Sequence, residues 1–305
     1  MSIASNLVRL TILLAVGLLL ACEPAVVQKS LQYSKEPVAS GPTIYRFAVH
    51  PLYNPQMLSA AYQPLVDHLN AQLPNIRVEL ESSRDYQAFE SKYTERQPEF
   101  LLPNPWQTLQ AMKSGYHVIA MAGDAQDFKG IFIVRRDSGI KTPADLKGKV
   151  VSYPSHTALA AAIMPQFFLH SNGINVTRDI QNAYVGSQES SILNVHLGLA
   201  AAGATWPPPW RLFQKDHPKE AADLQVIWET ESLVNNSVMV RDDVPQEVRE
   251  KVKATLLNLA RQPGGAAILE GMSTARFYPA DDDSYGVVAK YVEHFEQVVR
   301  PVRSP

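Results

Sequence analysis

The stretch Asp145-Leu146-Lys147-Gly148-Lys149-Val150-Val151-Ser152-Tyr153-Pro154-Ser155-His156-Thr157-Ala158 carries the strongest fold signal of the chain. It predicts a strand, a tight turn and the start of an apolar helix. The first N–H groups of a helix have no partner inside it, so together with the positive dipole end they favour an oxyanion. Ser155 and Thr157 offer hydroxyl donors and His156 a further donor or charge. The same hydroxyls are ordinary helix caps, so a binding turn and a capped helix both stay open.

Strands and helices alternate on both sides of this stretch. Residues 43–126 predict the first part of one α/β lobe, 127–234 a second lobe, and 235–305 the rest of the first lobe with a C-terminal helix. The predicted fold class is α/β, with mixed, mostly parallel sheets, helices on both faces and a ligand cleft between two lobes. One helix face is predicted to be buried through Leu58, Tyr62, Leu65, Val66, Leu69 and Leu73.

The N-terminal segment predicts export and a lipid anchor. Arg9 precedes an apolar run from Leu10 to Ala21 of about 12 residues, the length of a signal-peptide core rather than the roughly 20 that span a bilayer. The run ends in Leu19-Leu20-Ala21-Cys22, which resembles a lipobox whose cysteine is acylated. We therefore expect a signal peptide over 1–22, a flexible tether over 23–42 and a periplasmic domain anchored to a bacterial membrane. An uncleaved anchor helix and ordinary cleavage are the alternatives.

Composition and missing motifs exclude several function classes. The chain has 305 residues, 46% hydrophobic and 19% charged, with a net charge of -2, which gives no electrostatic footprint for nucleic acid. Phosphate-binding loops, dinucleotide fingerprints, serine-hydrolase elbows and zinc-protease pairs are missing, so no catalytic residue, cofactor or metal is predicted. The histidines lack ligand-like spacing, and all but His50 and His156 are interpreted as surface or singly hydrogen-bonded side chains.

Three motifs together resemble the substrate-binding proteins of phosphate, phosphite and phosphonate ABC importers. They are Asp145–Lys149 with the Ser/Thr turn that follows, Ala202-Gly203-Ala204-Thr205-Trp206, and Ala61-Tyr62-Gln63-Pro64-Leu65-Val66-Asp67-His68-Leu69. The similarity extends in order and spacing from about Tyr45 to about Ala260. It implies a type 2 periplasmic binding fold whose lobes close on a small oxyanion and deliver it to an ABC permease.

The resemblance also assigns residues to the site. It implies that Ser155, His156, Thr157 and Ala158 hold the oxyanion, and that walls and secondary contacts come from Tyr53, Asn54, Asn104, Trp106, Gln188, Glu189 and Trp206. The chain departs from the family at Ala158, where Ser, Thr or Gly is commoner. It also departs at Gln188, where His is frequent, and at Ala201, where many members carry an acid. Losing one acid weakens the case for an aminophosphonate ligand.

Other interpretations remain open at this point. A periplasmic sensor lipoprotein that signals to a membrane histidine kinase would use the same cleft. An enzyme on this scaffold, or a scaffold lipoprotein with an empty cleft, would also fit the fold. The segment Trp206-Pro207-Pro208-Pro209-Trp210 is either an aromatic cleft rim or a stiff corner that prevents a helix from starting.

Overall fold

The computed structural model describes residues 42–302. The predicted signal peptide, Cys22 and the tether up to residue 41 lie outside the described residues and stay predictions. Within the described part, no helix combines the length and apolar character needed to cross a membrane.

Strands and helices alternate as expected. The strands are β1 (Thr43–Val49), β2 (Ile76–Glu81), β3 (Phe100–Leu102), β4 (Tyr116–Ala122), β5 (Ile131–Arg135), β6 (Val150–Tyr153), β7 (Gln181–Tyr184), β8 (Ala202–Thr205), β9 (Leu224–Glu229), β10 (Ser237–Arg241) and β11 (Phe277–Tyr278). The α-helices are α1 (Pro55–Gln72), α2 (Tyr86–Thr94), α3 (Pro105–Met112), α4 (Met164–Ser171), α5 (Gln188–His196), α6 (Pro207–Asp216), α7 (Pro218–Ala222), α8 (Gln246–Asn258), α9 (Gly265–Gly271) and α10 (Gly286–Val298). A π-helical turn over Leu159–Ile163 leads directly into α4.

The strands form two sheets, and this confirms the predicted α/β fold class. The first sheet has the order β11-β4-β10-β3-β1-β2 and the second the order β7-β6-β8-β5-β9. Parallel pairs join β1 to β2 and β3, and β6 to β7 and β8. The pairs made by β10, β11 and β5 are antiparallel, so both sheets are mixed rather than mostly parallel. The difference arises because β5 and β10 follow the crossings between sheets and enter in the reverse direction.

The sheets draw on separate parts of the chain. Strands of the first sheet lie within 43–122 and 237–278, and strands of the second within 131–229. They fall inside the ranges predicted for the two lobes, while the boundaries at 126 and 234 themselves stay predictions.

Helix α1 shows how the local pattern becomes core. Asn54 caps it by accepting from the Met57 N–H at 3.0 Å, and Pro55 occupies the first turn, where no N–H is needed. All six predicted face residues are buried, which confirms the predicted helix face. Each such side chain contributes roughly 1.5–3 kcal/mol of hydrophobic stabilisation relative to exposure.

The proline segment after β8 rules out one of its two interpretations. Pro207, Pro208 and Pro209 form the first turn of α6 and do not prevent a helix from starting. First-turn N–H groups have no intrahelical partner in any case, so three prolines cost the helix no hydrogen bond there.

Candidate functional site

A small pocket lies where turns from both sheets meet. Its volume is about 210 Å³, and it is lined by His50, Tyr86, Asn104, Phe128, Ala158, Leu159, Ala160, Ala161, Gln188, Trp206 and Asn236. His50 follows β1, Asn104 follows β3, and Ala158 belongs to the turn after β6. The pocket therefore sits at the carboxyl ends of parallel strands, the usual ligand position in open α/β sheets.

The helix that begins after β6 has no side-chain cap. Ala158 occupies its N-cap position, and the Ala158 carbonyl accepts from the Ala162 and Ile163 N–H groups at 2.7 and 3.2 Å. Within residues 42–302, the N–H groups of Leu159, Ala160 and Ala161 have no hydrogen-bond acceptor. Three unpaired donors at the positive end of a helix dipole thus line the pocket wall, and this is the chemistry of an oxyanion site.

The side-chain hydroxyl groups of the same turn, on Ser155 and Thr157, form hydrogen bonds away from the pocket. Thr157 is 1% exposed and donates through Oγ1 to the Glu90 carboxylate at 2.6 Å. The Ser155 and Thr157 hydroxyl oxygens are 3.2 Å apart, and since the single Thr157 hydrogen is used on Glu90, Ser155 is the donor of that pair. Neither residue lines the pocket, and neither hydroxyl caps the helix. Instead, the two hydroxyl groups form a chain of hydrogen bonds that ends at Glu90.

His156 also lies outside the pocket lining. Its ring stacks on Tyr184 with centroids 3.4 Å apart and an interplanar angle of 21°. Its carbonyl accepts from Arg300 Nη2 at 3.2 Å. Burial, together with the nearby Arg300 charge, lowers the pKa of His156. The imidazole is therefore a neutral stacking partner that fixes the turn from behind.

Asn104 caps α3 and at the same time contacts the turn after β6. Its Oδ1 accepts from the Trp106 and Gln107 N–H groups at 3.0 and 3.1 Å, completing a capping box. Its Nδ2 donates to the Thr157 carbonyl at 3.1 Å. Trp106 is buried in the core of the first sheet and does not line the pocket.

His50 forms the pocket wall at the end of β1. Its Nδ1 lies 2.8 Å from the Leu102 carbonyl, which can only accept, so Nδ1 carries the hydrogen. Burial lowers the pKa of His50 to about 4, an effect that the bond to Leu102 only partly offsets. The neutral ring packs against Tyr86 and Phe89, and Nε2 keeps a lone pair with no partner in the described part of the chain.

Gln188 fills the side of the pocket that faces α5. Its Nε2 donates to the Tyr86 hydroxyl at 3.1 Å, and its Oε1 accepts from Thr205 at 2.8 Å. Burial raises the pKa of Tyr86, so that phenol stays neutral. Trp206, 5% exposed, closes the pocket beside Phe128, with ring centroids 5.5 Å apart.

Three predicted residues belong to a neighbouring cavity of about 290 Å³ or its edge. Tyr53 and Glu189 line this cavity, whose wall is otherwise largely apolar and includes Phe213. Glu189 accepts from Asn54 Nδ2 at 3.3 Å and lies 3.1 Å from His217 Nε2. Asn54 therefore links the start of α1 to the start of α5 without lining either cavity.

The structure thus brings Asn104, Ala158, Gln188 and Trp206 together in one pocket. The residues that the sequence did not assign to it include Tyr86, Phe128, Asn236 and the backbone of Leu159–Ala161. The donors of Leu159–Ala161 are backbone N–H groups, which the side chains of an alanine-rich run do not reveal. Tyr86 has the spacing of an ordinary buried helix residue, so the sequence does not mark it as a pocket residue. His50 could have been identified from the sequence, because it directly follows a predicted strand, where ligand sites of α/β sheets lie.

One glycine is required by this packing. A Cβ on Gly130 would lie 2.5 Å from the Ala160 carbonyl oxygen and 2.8 Å from Pro165 Cγ. The chain that crosses from the first sheet to β5 therefore rests directly on the start of the uncapped helix.

Comparisons with known proteins identify relatives of this chain. A protein-family model described as "ABC transporter, phosphonate, periplasmic substrate-binding protein" matches residues 47–285. The chain is 23% identical over 295 residues to the probable ABC transporter phosphite binding protein PhnD1 of Prochlorococcus marinus, covering 91% of this chain and 98% of that protein.

Two solved structures share the fold. PhnD1 from Prochlorococcus marinus in complex with methylphosphonate superposes with a TM-score of 0.77 at 20% identity, covering 85% of this chain and 100% of that one. A binding protein component of an ABC phosphonate transporter from Pseudomonas aeruginosa gives a TM-score of 0.77 at 15% identity, covering 84% and 87%.

Proposed function

The chain belongs to the family of periplasmic substrate-binding proteins of phosphonate ABC transporters, and we propose that it captures a small phosphonate-like oxyanion in the pocket between its two sheets. The observation that carries this proposal is the uncapped helix start, where Leu159, Ala160 and Ala161 line the pocket and their N–H groups have no acceptor among the described residues. Hydrogen bonds to a charged partner contribute about 1.5–3 kcal/mol each, so three such donors are enough to hold a small anion.

The pocket size limits the ligand. The empty space of the pocket is about 210 Å³ with the open solvent at its mouth included, so the ligand must be small. An oxyanion with a short substituent fills this space, and the adjoining cavity beside Tyr53 and Glu189 offers room for a slightly longer one.

The predicted site residues divide into two roles in this proposal. Ala158 and the backbone after it contact the oxyanion, with Asn104, Gln188 and Trp206 as walls. Ser155, His156 and Thr157, predicted as direct ligands, support the turn through their bonds to Glu90, Tyr184 and Arg300. Asn54, Trp106 and Glu189 hold the surrounding elements in place.

Delivery of the ligand to a permease requires that the pocket open and close around it. Asn104 to Thr157, Gln188 to Tyr86 and Asn54 to Glu189 are hydrogen bonds between segments of the first and the second sheet. Breaking them would open the pocket, so a hinge motion that makes or breaks this set controls ligand access. We propose that the closed form docks on an ABC permease, with lipidated Cys22 tethering the protein to a bacterial membrane from the periplasmic side.

A thermal-shift panel tests the function. Phosphate, phosphite, methylphosphonate, aminoethylphosphonate, sulfate and small carboxylates are added in turn to the purified protein. A ligand at about 100 times its dissociation constant stabilises the folded state by about 2.7 kcal/mol. A shift with a phosphorus oxyanion supports the proposal. No shift with any of them, in folded protein free of carried-over ligand, would instead support a scaffold with an empty cleft.

Two further measurements test delivery and anchoring. Uptake of the bound ligand by cells with and without this protein separates transport from a sensor role, in which uptake would not change. Mass spectrometry of the membrane fraction is expected to find acyl chains on Cys22, and Cys22→Ser is expected to release the protein into the soluble fraction.

A further inference from the structure

We infer that the pocket takes its oxyanion in the protonated, singly charged form, with His50 Nε2 accepting the hydrogen bond that the ligand's P–OH group donates. This inference rests on the proposed function and narrows its ligand class to oxyanions that carry a hydrogen. It excludes sulfonates, which have the same tetrahedral shape and charge but no hydrogen to donate.

The tautomer of His50 leaves Nε2 as a hydrogen-bond acceptor. The Nδ1 hydrogen is committed to the Leu102 carbonyl at 2.8 Å, and the ring is 2% exposed. A neutral imidazole with Nδ1 protonated presents Nε2 as an acceptor only. His50 lines the pocket, and its Nε2 has no donor among the described residues. A ligand that supplies a hydrogen to this acceptor therefore binds better than one that does not.

The pocket is also uncharged: among residues 42–302, its lining contains no Lys, Arg, Asp or Glu. One negative charge is balanced by the N–H groups of Leu159–Ala161, and a second would face the pocket without a cation. Glu90 makes a second charge less favourable still, because its carboxylate, 6% exposed, lies behind Thr157 at 2.6 Å from the hydroxyl oxygen.

The same lining contains a second acceptor, on Asn236. Asn236 is 3% exposed, and its Oδ1 atom has no hydrogen-bond partner among the described residues. The pocket therefore presents donors at the helix start and acceptors at His50 and Asn236. A singly protonated phosphonate supplies accepting oxygens and one donating hydroxyl, which can pair with one of these two acceptors.

The direct test compares methylphosphonate with methanesulfonate by calorimetry on the wild-type protein. At about pH 5, below the second ionisation of a phosphoryl group, both are tetrahedral monoanions and differ in the P–OH hydrogen. We expect methylphosphonate to bind about 100-fold tighter or more, because a site built to pair with a hydroxyl rejects an analogue that lacks it.

His50→Phe tests the acceptor. The phenyl ring keeps the packing on Tyr86 and Phe89 and removes both nitrogens, so the preference for methylphosphonate should fall to within about tenfold. His50→Gln, which restores an oxygen acceptor, should recover part of that preference. His294→Phe, an exposed histidine remote from the pocket lining, is the matched control and should leave the preference unchanged.

The outcomes separate the inference from the proposed function. Equal affinities of the wild-type protein for the two anions would overturn the inference while supporting oxyanion capture. Failure of both anions to bind would overturn both. A preference that survives in folded His50→Phe would show that His50 is not the acceptor and would also overturn the inference.

Discussion

The turn after β3 and the turn after β6 occupy similar positions in the fold but differ in how the first N–H groups of the following helix are paired. Both follow a parallel strand and lead into a helix. After β3, Asn104 and Gln107 form a capping box that consumes the first N–H groups of α3. After β6, the cap position is Ala158, and the following N–H groups stay unpaired beside the pocket. The first N–H groups of one helix are paired by a side chain of the same turn, whereas those of the other helix are free to bind a ligand.

The difference teaches where binding capacity resides in this fold. A helix start with a good cap is stable but has no free N–H donors. A helix start without a cap is less stable, because its N–H donors stay unpaired unless an anion binds to them. The Thr157 hydroxyl, which could cap the second turn, donates to Glu90, and the Ser155 hydroxyl is bonded to Thr157. The buried carboxylate thus keeps the binding donors available.

The largest expected effect comes from pH and concerns His50, which forms the wall beside both turns. Its pKa is about 4 in the folded protein against 6.5 for an ordinary histidine. The unfolded chain therefore binds more protons between these values, and the free energy of unfolding falls as pH falls from 6.5 to about 4. The loss from this group is about 3 kcal/mol. Denaturant unfolding at several pH values measures it.

The control for the pH prediction is His50→Phe, which should lack this part of the pH dependence. A wild-type and variant pair with parallel stability–pH curves would show that His50 is not held neutral by burial.

Adding a cap to the uncapped turn should abolish binding. Ala158→Asp places a carboxylate at the N-cap position, where it competes with the ligand for the same N–H groups and repels its charge. We expect affinity for the bound oxyanion to fall by about 100-fold or more. Calorimetric titration measures the loss. Ala158→Asn, a neutral cap of the same shape, is the matched control and should weaken binding less. Unchanged affinity in Ala158→Asp would remove the helix start from the site.

Removing the cap from the other turn should affect stability first. Asn104→Ala deletes the acceptor for two α3 N–H groups and leaves the Thr157 carbonyl without its donor. The expected cost is about 2 kcal/mol in the free energy of unfolding. Asn54→Ala removes the single cap bond of α1 and the longer, 3.3 Å bond to Glu189. It is the comparison and should cost about 1 kcal/mol. A stable Asn104→Ala protein with lost affinity would reverse the roles assigned to the two turns.

The smallest effect is expected for Ser155→Ala. Its hydroxyl donates to Thr157 and does not line the pocket, so stability should change by about 0.5 kcal/mol or less and affinity by less than about threefold. The same titration and unfolding measurements apply. A loss as large as that of Ala158→Asp would show that the Ser155 hydroxyl contacts the ligand directly.

Much of the fold could be predicted from local pattern. The face of α1 from Leu58 to Leu73 is buried as its spacing predicts, because helical periodicity is a local property. The alternation of strands and helices predicted two mixed α/β sheets. Strand direction was predicted less well, since neither β5 nor β10 carries a local signal for the direction in which it joins its sheet.

The candidate site was predicted in position more than in detail. The turn after β6 was identified as a helix start with anion-binding capacity, and the pocket lies there. The destination of the Thr157 hydrogen could not be predicted, because its acceptor Glu90 is 67 residues away along the chain. The assignment of His156 had the same problem, since Tyr184 and Arg300 reach it from distant segments.

The sequence by itself therefore determined the elements, the α/β class and the helix start that offers backbone donors, because each depends on spacing within a few residues. The tertiary structure decided which polar groups remain free to meet a ligand. That outcome depends on which distant groups come within hydrogen-bond distance. Glu90 captures a hydroxyl, Leu102 fixes the His50 tautomer, and the N–H groups after Ala158 are left unpaired because no distant acceptor reaches them.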